Sequence, residues 1–385
     1  MGLLLRRARC LVDDGWSEPR DVRVQRGVVR VAGSATSGEA EVDLEGRFLL
    51  PALVNAHDVL DLSTLPPLGR PPYASLYEWT RAAEEDAARL APALAVPLVD
   101  RLFLGGLRNI LAGVGAVLHH HPDHRSLGQA EFPVRVQRRY GFAHSPGLTP
   151  ALRRTYRTTD RRVPWLVRAA EGSLPGLRAE LDVLASANVL RQNTVIVHGT
   201  ALAPEDAPRL AAARASVVWC PESDRRLYGG TAPFLALRDG GVSVGLGSDA
   251  PSTGARDALS NLAAARREGV LDDCGLLRLA TRESAAVARV ATGGFGDGSP
   301  ADLLAVDSPE RLLEGDRLAV ALLVVRGEVA WGEPSLLGQA GRSALGVSVD
   351  GGRRALAEPL ARRLAAILRR HPAARAAAWL SGVGL

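Results

Sequence analysis

The residues of this 385-residue chain best suited to chemistry are its histidines and the acids that follow apolar runs. The chain has eight histidines, and six of them, His57, His119, His120, His121, His124 and His198, come directly after apolar segments. Arg168, Glu171 and Asp249 occupy comparable positions. Imidazoles and carboxylates brought together can hold a divalent metal, move protons or steady a developing charge. One histidine after a strand is usually a capping or core group, so it is the recurrence of the pattern that points to a site. Lysine is missing: all 47 basic residues are arginine. Schiff-base, carbamylated-lysine and phosphate-loop-lysine chemistry are thereby excluded. Cys10, Cys220 and Cys274 are scattered without paired spacing, which argues against a disulfide framework or a cysteine zinc site.

These positions need a scaffold that ends many strands at one place. From residue 84 onward, apolar strand segments alternate with helical ones. Strands are expected at Val114–Leu118, Trp165–Val167, Thr194–Val197, Ser216–Trp219 and Val242–Leu246. Helices are expected at Glu84–Leu94, Leu98–Leu111, Leu177–Asn188 and Pro204–Ala213. Repeated strand–helix units over about 250 residues suit a (β/α)8 barrel, in which function collects at the C-terminal ends of the strands. An open doubly wound sheet would need a glycine-rich phosphate turn after an early strand, and the chain has none at the right spacing. The first fifty residues read instead as short strands, including Asp21–Val24, Val28–Ala32 and a pair around Glu45-Gly46. Similar texture returns at Ala301–Val306 and Ala319–Trp331. The expected fold class is therefore α/β: a barrel over 51–299, a small β-sandwich from 1–50 plus 300–345, and a helical segment over 346–385, helical from Arg353 to Leu380.

Composition narrows the field further. Hydrophobic residues are 46% and charged residues 23% of the chain, ordinary globular usage. No apolar run reaches the roughly 18 residues of a membrane helix. The opening Met1–Arg7 places its charges after the apolar stretch, the reverse of a secretory signal, so a cytoplasmic protein is expected. Net charge is +5. The arginines are spread along the sequence and aromatics are only 4%, so nucleic acid is not an expected partner.

Several blocks carry a resemblance. Pro51-Ala52-Leu53-Val54-Asn55-Ala56-His57-Asp58-Val59 resembles the first-strand motif Pro-Gly-Leu-x-Asn-x-His-x-His of the amidohydrolase superfamily, in its cytosine deaminase and triazine chlorohydrolase branch. Trp165 to Glu171 resembles the strand ending His-x-x-Glu, and Val195–Gly199 the next strand, ending in His. Ala215 to Leu227 resembles Val-x-His-Cys-Pro-x-Ser-Asn-x-x-Leu. Gly245–Asp249 resembles the Leu-Gly-Thr-Asp strand end, and Ser299–Leu303 the return to the sandwich. The blocks come in the family's order along nearly the whole chain.

The resemblance implies hydrolysis of a non-peptide C–N bond in a cyclic amidine, amide or nucleobase-like small molecule. Glu171 would shuttle protons, His198 would polarise the substrate, and Asp249 would take a proton from water. It also implies a divalent metal, zinc or iron, but Val59 stands where the second His of His-x-His is found and Arg168 where the His of His-x-x-Glu is found. His57 and Asp249 remain as ligands. Arg168 cannot ligate; it is expected to pair with Asp249 or Glu171 and to face the substrate. On a strand, His119 and His121 share one face, so a relocated metal site combining them with His57 and Asp249 is one expectation. His144 and Trp219 are expected to line the substrate pocket. The alternatives are a non-catalytic binding protein, or a metal-free enzyme with Arg168 as electrophile. No membrane partner is expected, and a homodimer is compatible with the reading.

Overall fold

A computed structural model describes residues 2–13, 15–30, 38–292 and 294–384. Val31 and Ala32, expected to extend a strand, lie outside the described residues. Eight parallel strands form the centre. They are β1 (Leu53–Asp58), β2 (Val114–His119), β3 (Arg135–Gln137), β4 (Gly141–Ala143), β5 (Trp165–Ala169), β6 (Thr194–His198), β7 (Ser216–Trp219) and β8 (Ser243–Leu246). Every residue of β1, β2, β5 and β6 is buried, as expected for parallel strands covered on both faces.

The strands lie in two ladders, β1-β2-β3 and β4-β5-β6-β7-β8. Only Arg138, Arg139 and Tyr140 separate β3 from β4, so one bent segment pairs first with β2 and then with β5. That connection carries no helix, a departure from a regular strand–helix alternation. At the other side, the Asp249 amide donates to the His57 carbonyl at 3.0 Å and the Ser248 amide to Asn55 Oδ1 at 2.9 Å. The approach needs a glycine at 247: a Cβ there would lie 2.7 Å from the Cβ of His57. Helices follow most strands. After β1 the chain runs through Leu76–Glu85, capped by Ser75 whose Oγ accepts from the Glu78 amide, and then Ala87–Leu94 and Leu98–Leu111.

A second sheet draws on both ends of the chain. Phe48–Pro51 pairs antiparallel with Leu303–Val306, which places Leu50 opposite Leu304. Gly2–Val12 lies beside Phe48–Pro51 and also pairs with Arg20–Gln25 and Ala40–Asp43. On the far side follow Val320–Val325, Glu328–Gly332, Gly352–Ala357 and Ala344–Val349. Leu3, Leu5, Val22, Leu49, Leu303, Leu322 and Val324 share one buried core between these segments. The tail is thus not helical from Arg353. Its strand continues to Ala357, where Arg354 alternates with the buried Ala355, and the helix begins at Glu358 and ends at Arg370.

Asp302 ties this sheet to the central strands. It is fully buried and accepts from Arg135 Nε at 2.8 Å and Nη2 at 3.2 Å, and from the Arg326 amide at 2.6 Å. Removing one partner of such a pair costs about 3–5 kcal/mol. Asp302→Ala should therefore lower unfolding free energy by about 3 kcal/mol in urea titrations, with the Arg135→Met/Asp302→Leu pair recovering much of the loss.

Glu222 tests another joint, between helices Pro221–Tyr228 and Ala258–Arg267. Burial, and then the nearby Asp257, push its carboxyl up to about 7 despite a 2.6 Å hydrogen bond from Ser260 Oγ. The folded protein then holds this proton more tightly than the unfolded chain, whose Glu titrates near 4.3. The stabilisation is complete below that value and is lost as pH rises through about 7. Glu222→Gln should be more stable than wild type at pH 8, by on the order of 1 kcal/mol, with the gain vanishing by pH 4. Thermal melts across that range measure it.

Candidate active site

The C-terminal ends of β1, β5, β6 and β8 bring His57, Arg168, Glu171, His198 and Asp249 together. All five are buried. His198 and Asp249 sit at left-handed backbone angles, φ 70° and 53°, where each strand turns sharply and aims its side chain inward. His57 Nε2 lies 3.2 Å from Asp249 Oδ1, and His198 Nε2 lies 3.4 Å from Asp249 Oδ2. The Nδ1 of His198 is 2.7 Å from Asp224 Oδ1, which fixes that nitrogen as a donor.

Arg168 occupies the middle. Its Nε and Nη2 each donate to a different oxygen of Glu171 at 2.7 Å, and Nη2 is 3.5 Å from Asp249 Oδ2. Trp79 covers the guanidinium, with ring centroid 5.6 Å from Cζ. The hydroxyl of Tyr228 donates to Glu171 Oε1 at 2.6 Å. Burial opposes charge on Glu171 and Asp249, but Arg168 and the neighbouring donors win and hold both below the usual carboxylate range. Burial also opposes charge on His198, yet Glu171, Asp224 and Asp249 raise it to about 10. His57 has no such surplus of anions, and burial lowers it. Two carboxylates thus face one guanidinium, and the remaining negative charge draws a proton to His198.

That charge balance tests the fit of a divalent metal. His57, His198 and Asp249 each offer a donor atom within 4.8 Å of the others'. His198 Nε2 and Asp249 Oδ2 are buried without a hydrogen-bond partner. Three protein ligands with an open fourth position suit a catalytic zinc, and the ion would take the place of the His198 proton. The donor set fits; the adjacent Arg168 charge works against the ion.

Other expected residues fall differently. His119 and His121 do share a face, but that face meets Asp61: His121 Nδ1 is 2.9 Å from Oδ1, and His119 accepts from the Leu60 amide. They do not join His57 and Asp249, so the relocated metal site is not formed. Strand alternation points His120 inward instead, its ring 4.9 Å from that of His57. Trp219 does not line the pocket. Its ring stacks on Phe234 at 4.5 Å and its Nε1 donates to Thr231, because the end of β7 turns the side chain toward the helix layer. His144 does line the pocket, with Val59, Leu62, Trp79, His120 and Phe142; the cavity is about 80 Å³. His124 caps its own loop by accepting from the Ser126 amide.

Three contributors were not apparent in the sequence: Asp224, Tyr228 and Trp79; His120 was a candidate there, but not for this place. Asp224 and Tyr228 lie three and seven residues into the helix that Pro221 starts, close to the Cys-Pro block, and their spacing on that helix was the available signal. A buried pair below the site was also missed. Arg108 Nη2 is 2.5 Å from Asp58 Oδ1 and donates to the Asp249 carbonyl at 2.9 Å, holding the turn that carries Asp249.

Parallel strands ending in buried imidazoles and carboxylates define a hydrolase-type centre, and similarity to known proteins specifies its class. Residues 165–330 match the model of the amidohydrolase family, the superfamily that the sequence motifs resemble. The chain is 28% identical over 347 residues to a 5-methylthioadenosine/S-adenosylhomocysteine deaminase of Halobacterium salinarum, covering 74% of this chain and 80% of that one. A protein of the same name from Haloquadratum walsbyi is 36% identical over 139 residues, 33% of this chain and 29% of its own length. An adenosine deaminase from Xanthomonas campestris, solved with bound zinc, superposes with TM-score 0.70 at 20% identity, covering 88% of this chain and 97% of that one. Atrazine chlorohydrolase TrzN from Arthrobacter aurescens, complexed with zinc, gives TM-score 0.67 at 17% identity over 85% and 95%. Among the described residues, no single helix is long and apolar enough to cross a membrane.

Two unit charges about 4 Å apart interact by about 4 kcal/mol at an effective dielectric of 20. A zinc ion beside Arg168 meets repulsion of that order, close to three decades in affinity. Arg168→His should therefore bind zinc about 10²-fold more tightly than wild type, with a further gain for Val59→His/Arg168→His. Equilibrium dialysis with elemental analysis reads the change, and circular dichroism checks the fold.

Proposed function

We propose that this protein is a C–N hydrolase of the deaminase type, acting on the exocyclic amine of an aminopurine or a related nucleobase-like amidine. The observation that carries the reading is the buried group of His57, Glu171, His198 and Asp249 under one cavity, in a chain whose relatives are named for deamination. The eight parallel strands are read as a barrel closed by the β8–β1 contact, with the two-ended sheet packed beside it. The modules proposed are 51–299 for the barrel and 1–50 with 300–345 for the sheet, extended by strands of the 346–385 tail.

The overall change is addition of water at the amine-bearing ring carbon and departure of ammonia, leaving a carbonyl. His57, His198 and Asp249 would hold a divalent metal, whose chemistry there would be the Lewis acidity that lowers the pKa of water. Asp249 Oδ2, free of hydrogen bonds and ionised, is placed to take the proton of water. Glu171, kept ionised by Arg168 and Tyr228, is placed to accept a proton released by the added water and return it to the leaving amine. His198, oriented by Asp224, steadies negative charge developing beside the reacting carbon while its Nε2 keeps its proton, and gives up that role where the same atom holds a metal. Arg168 and Trp79 form the inner wall, so the substrate meets a guanidinium where an imidazole would stand. A cavity of about 80 Å³ admits the reacting edge of a ring and not a whole nucleoside, leaving the remainder toward His121 and His144 at the mouth.

Ammonia release tests this directly, with adenosine, 5-methylthioadenosine, S-adenosylhomocysteine, cytosine and a triazine offered to metal-replete protein. Turnover is expected on at least one, and Glu171→Gln and Asp249→Asn should each lower kcat/KM by about 10²-fold or more. Ligand binding by equilibrium dialysis without ammonia from any compound would favour the non-catalytic alternative. Equal turnover in metal-stripped protein, abolished in Arg168→Gln, would favour Arg168 as the electrophile.

A further inference from the structure

The opposite end of the central strands carries a second feature. The segments leading into β5, β6 and β7 enclose two adjoining cavities of about 420 and 440 Å³. Arg153, Arg157, Arg161 and Arg191 line the first, and Arg161, Arg191 and Arg214 the second; Tyr156 is shared. Among the described residues, no carboxylate lines either one. Elsewhere the arginines with defined roles meet acids, as Arg168 meets Glu171, Arg108 meets Asp58 and Arg317 meets Asp350. Here Arg153 and Arg191 are fixed by neutral acceptors. Arg153 Nε donates to the Ala187 carbonyl at 2.9 Å, and Arg191 Nη2 to Asn188 Oδ1. Arg289 Nη1 donates to the Arg161 carbonyl at 2.9 Å and its Nη2 to the Gln192 carbonyl, which pins the two arginine-bearing loops together. A carbonyl orients a guanidinium without neutralising it. The nearest acid in the chain, Asp160, is taken by Arg139 and Arg162.

We propose that this groove is a binding site for an oligophosphate anion, the phosphate chain of a nucleoside triphosphate or of an inorganic polyphosphate. Guanidinium forks match phosphate oxygens in pairs. Two cavities of small-ligand size joined through Arg161 and Arg191 suit a chain of phosphates better than a single one. The one aromatic side chain in the groove, Tyr156, is engaged elsewhere: its hydroxyl bonds Asn193 Oδ1 and its ring packs edge-on against Trp165 at 5.3 Å. It offers no free platform for stacked bases, which separates this groove from a single-strand nucleic-acid channel. The site lies at the opposite strand ends from Glu171, His198 and Asp249, so its occupation is independent of the deaminase reading.

Isothermal titration at 50 mM salt with tripolyphosphate, ATP and a 20-nucleotide single strand tests the proposal on the full chain. Tripolyphosphate should bind wild-type protein, and Arg157→Gln/Arg161→Gln should weaken it at least tenfold. Arg353→Gln/Arg369→Gln removes the same charge from exposed positions on the tail and should leave binding within about twofold. ATP and tripolyphosphate binding equally, both lost in the groove variant, supports a site for the phosphate chain alone. ATP binding more tightly, with both lost, supports the nucleotide as source. Absence of tripolyphosphate binding, equal loss in the two variants, or binding of the 20-nucleotide strand alone would overturn the proposal.

Discussion

The site depends on how buried charge is balanced around Arg168. A guanidinium with 6% of its surface exposed would be prohibitive alone; it is stable because Glu171 takes two of its donors and Asp249 lies 3.5 Å away. The same interaction keeps both acids ionised and leaves just enough negative charge to protonate His198. The proton affinity of His198 and the ion affinity of the His57–His198–Asp249 group therefore follow from one residue. Arg168 stands where the family resemblance implies an imidazole, and it supplies charge without an electron pair to donate.

Two layers of support hold this arrangement. Above it, Trp79 covers the guanidinium from a helix whose start is set by Ser75. Below it, Arg108, Asp58, Asn109 and Asn55 form a buried network reaching Ser248 and the carbonyl of Asp249. These contacts join β1 to the end of β8, so closing the strand array and presenting Asp249 are one structural event. The left-handed backbone at His198 and Asp249 is sustained by these surroundings.

The two ends of the strand array carry opposite electrostatics. At the C-terminal ends, each charge is buried and answered by another within a few ångströms. At the N-terminal ends of β5 to β7, arginines are exposed, two of them are held by neutral oxygens, and no carboxylate among the described residues lines their groove. Net charge alone could not show this, because a total of +5 is compatible with an even spread.

Much of this was legible in the sequence, and the reason is local. Apolar runs of five or six residues ending in His, Arg or Asp fixed the strand ends at His57, Arg168, His198 and Asp249, because a parallel strand buried on both faces leaves little freedom over where it stops. The pairing of Arg168 with Asp249 or Glu171 followed from the family resemblance, which puts Arg168 at a position facing both acids. Tertiary structure alone decided which way side chains faced. His120 rather than His119 or His121 turned to His57, Trp219 turned out to Phe234, and Asp224, Tyr228 and Trp79 arrived from helices whose rotation no local pattern records. The strand at Gly352–Ala357, where a helix was expected, has the same origin: Ala- and Arg-rich segments favour helix on their own, but pairing with Glu328–Gly332 and Ala344–Val349 satisfies their backbone and overrides that preference. The grouping of Arg153, Arg157, Arg161, Arg191 and Arg214 was hidden as well, since they lie on three separate connections that only the folded strand order brings side by side.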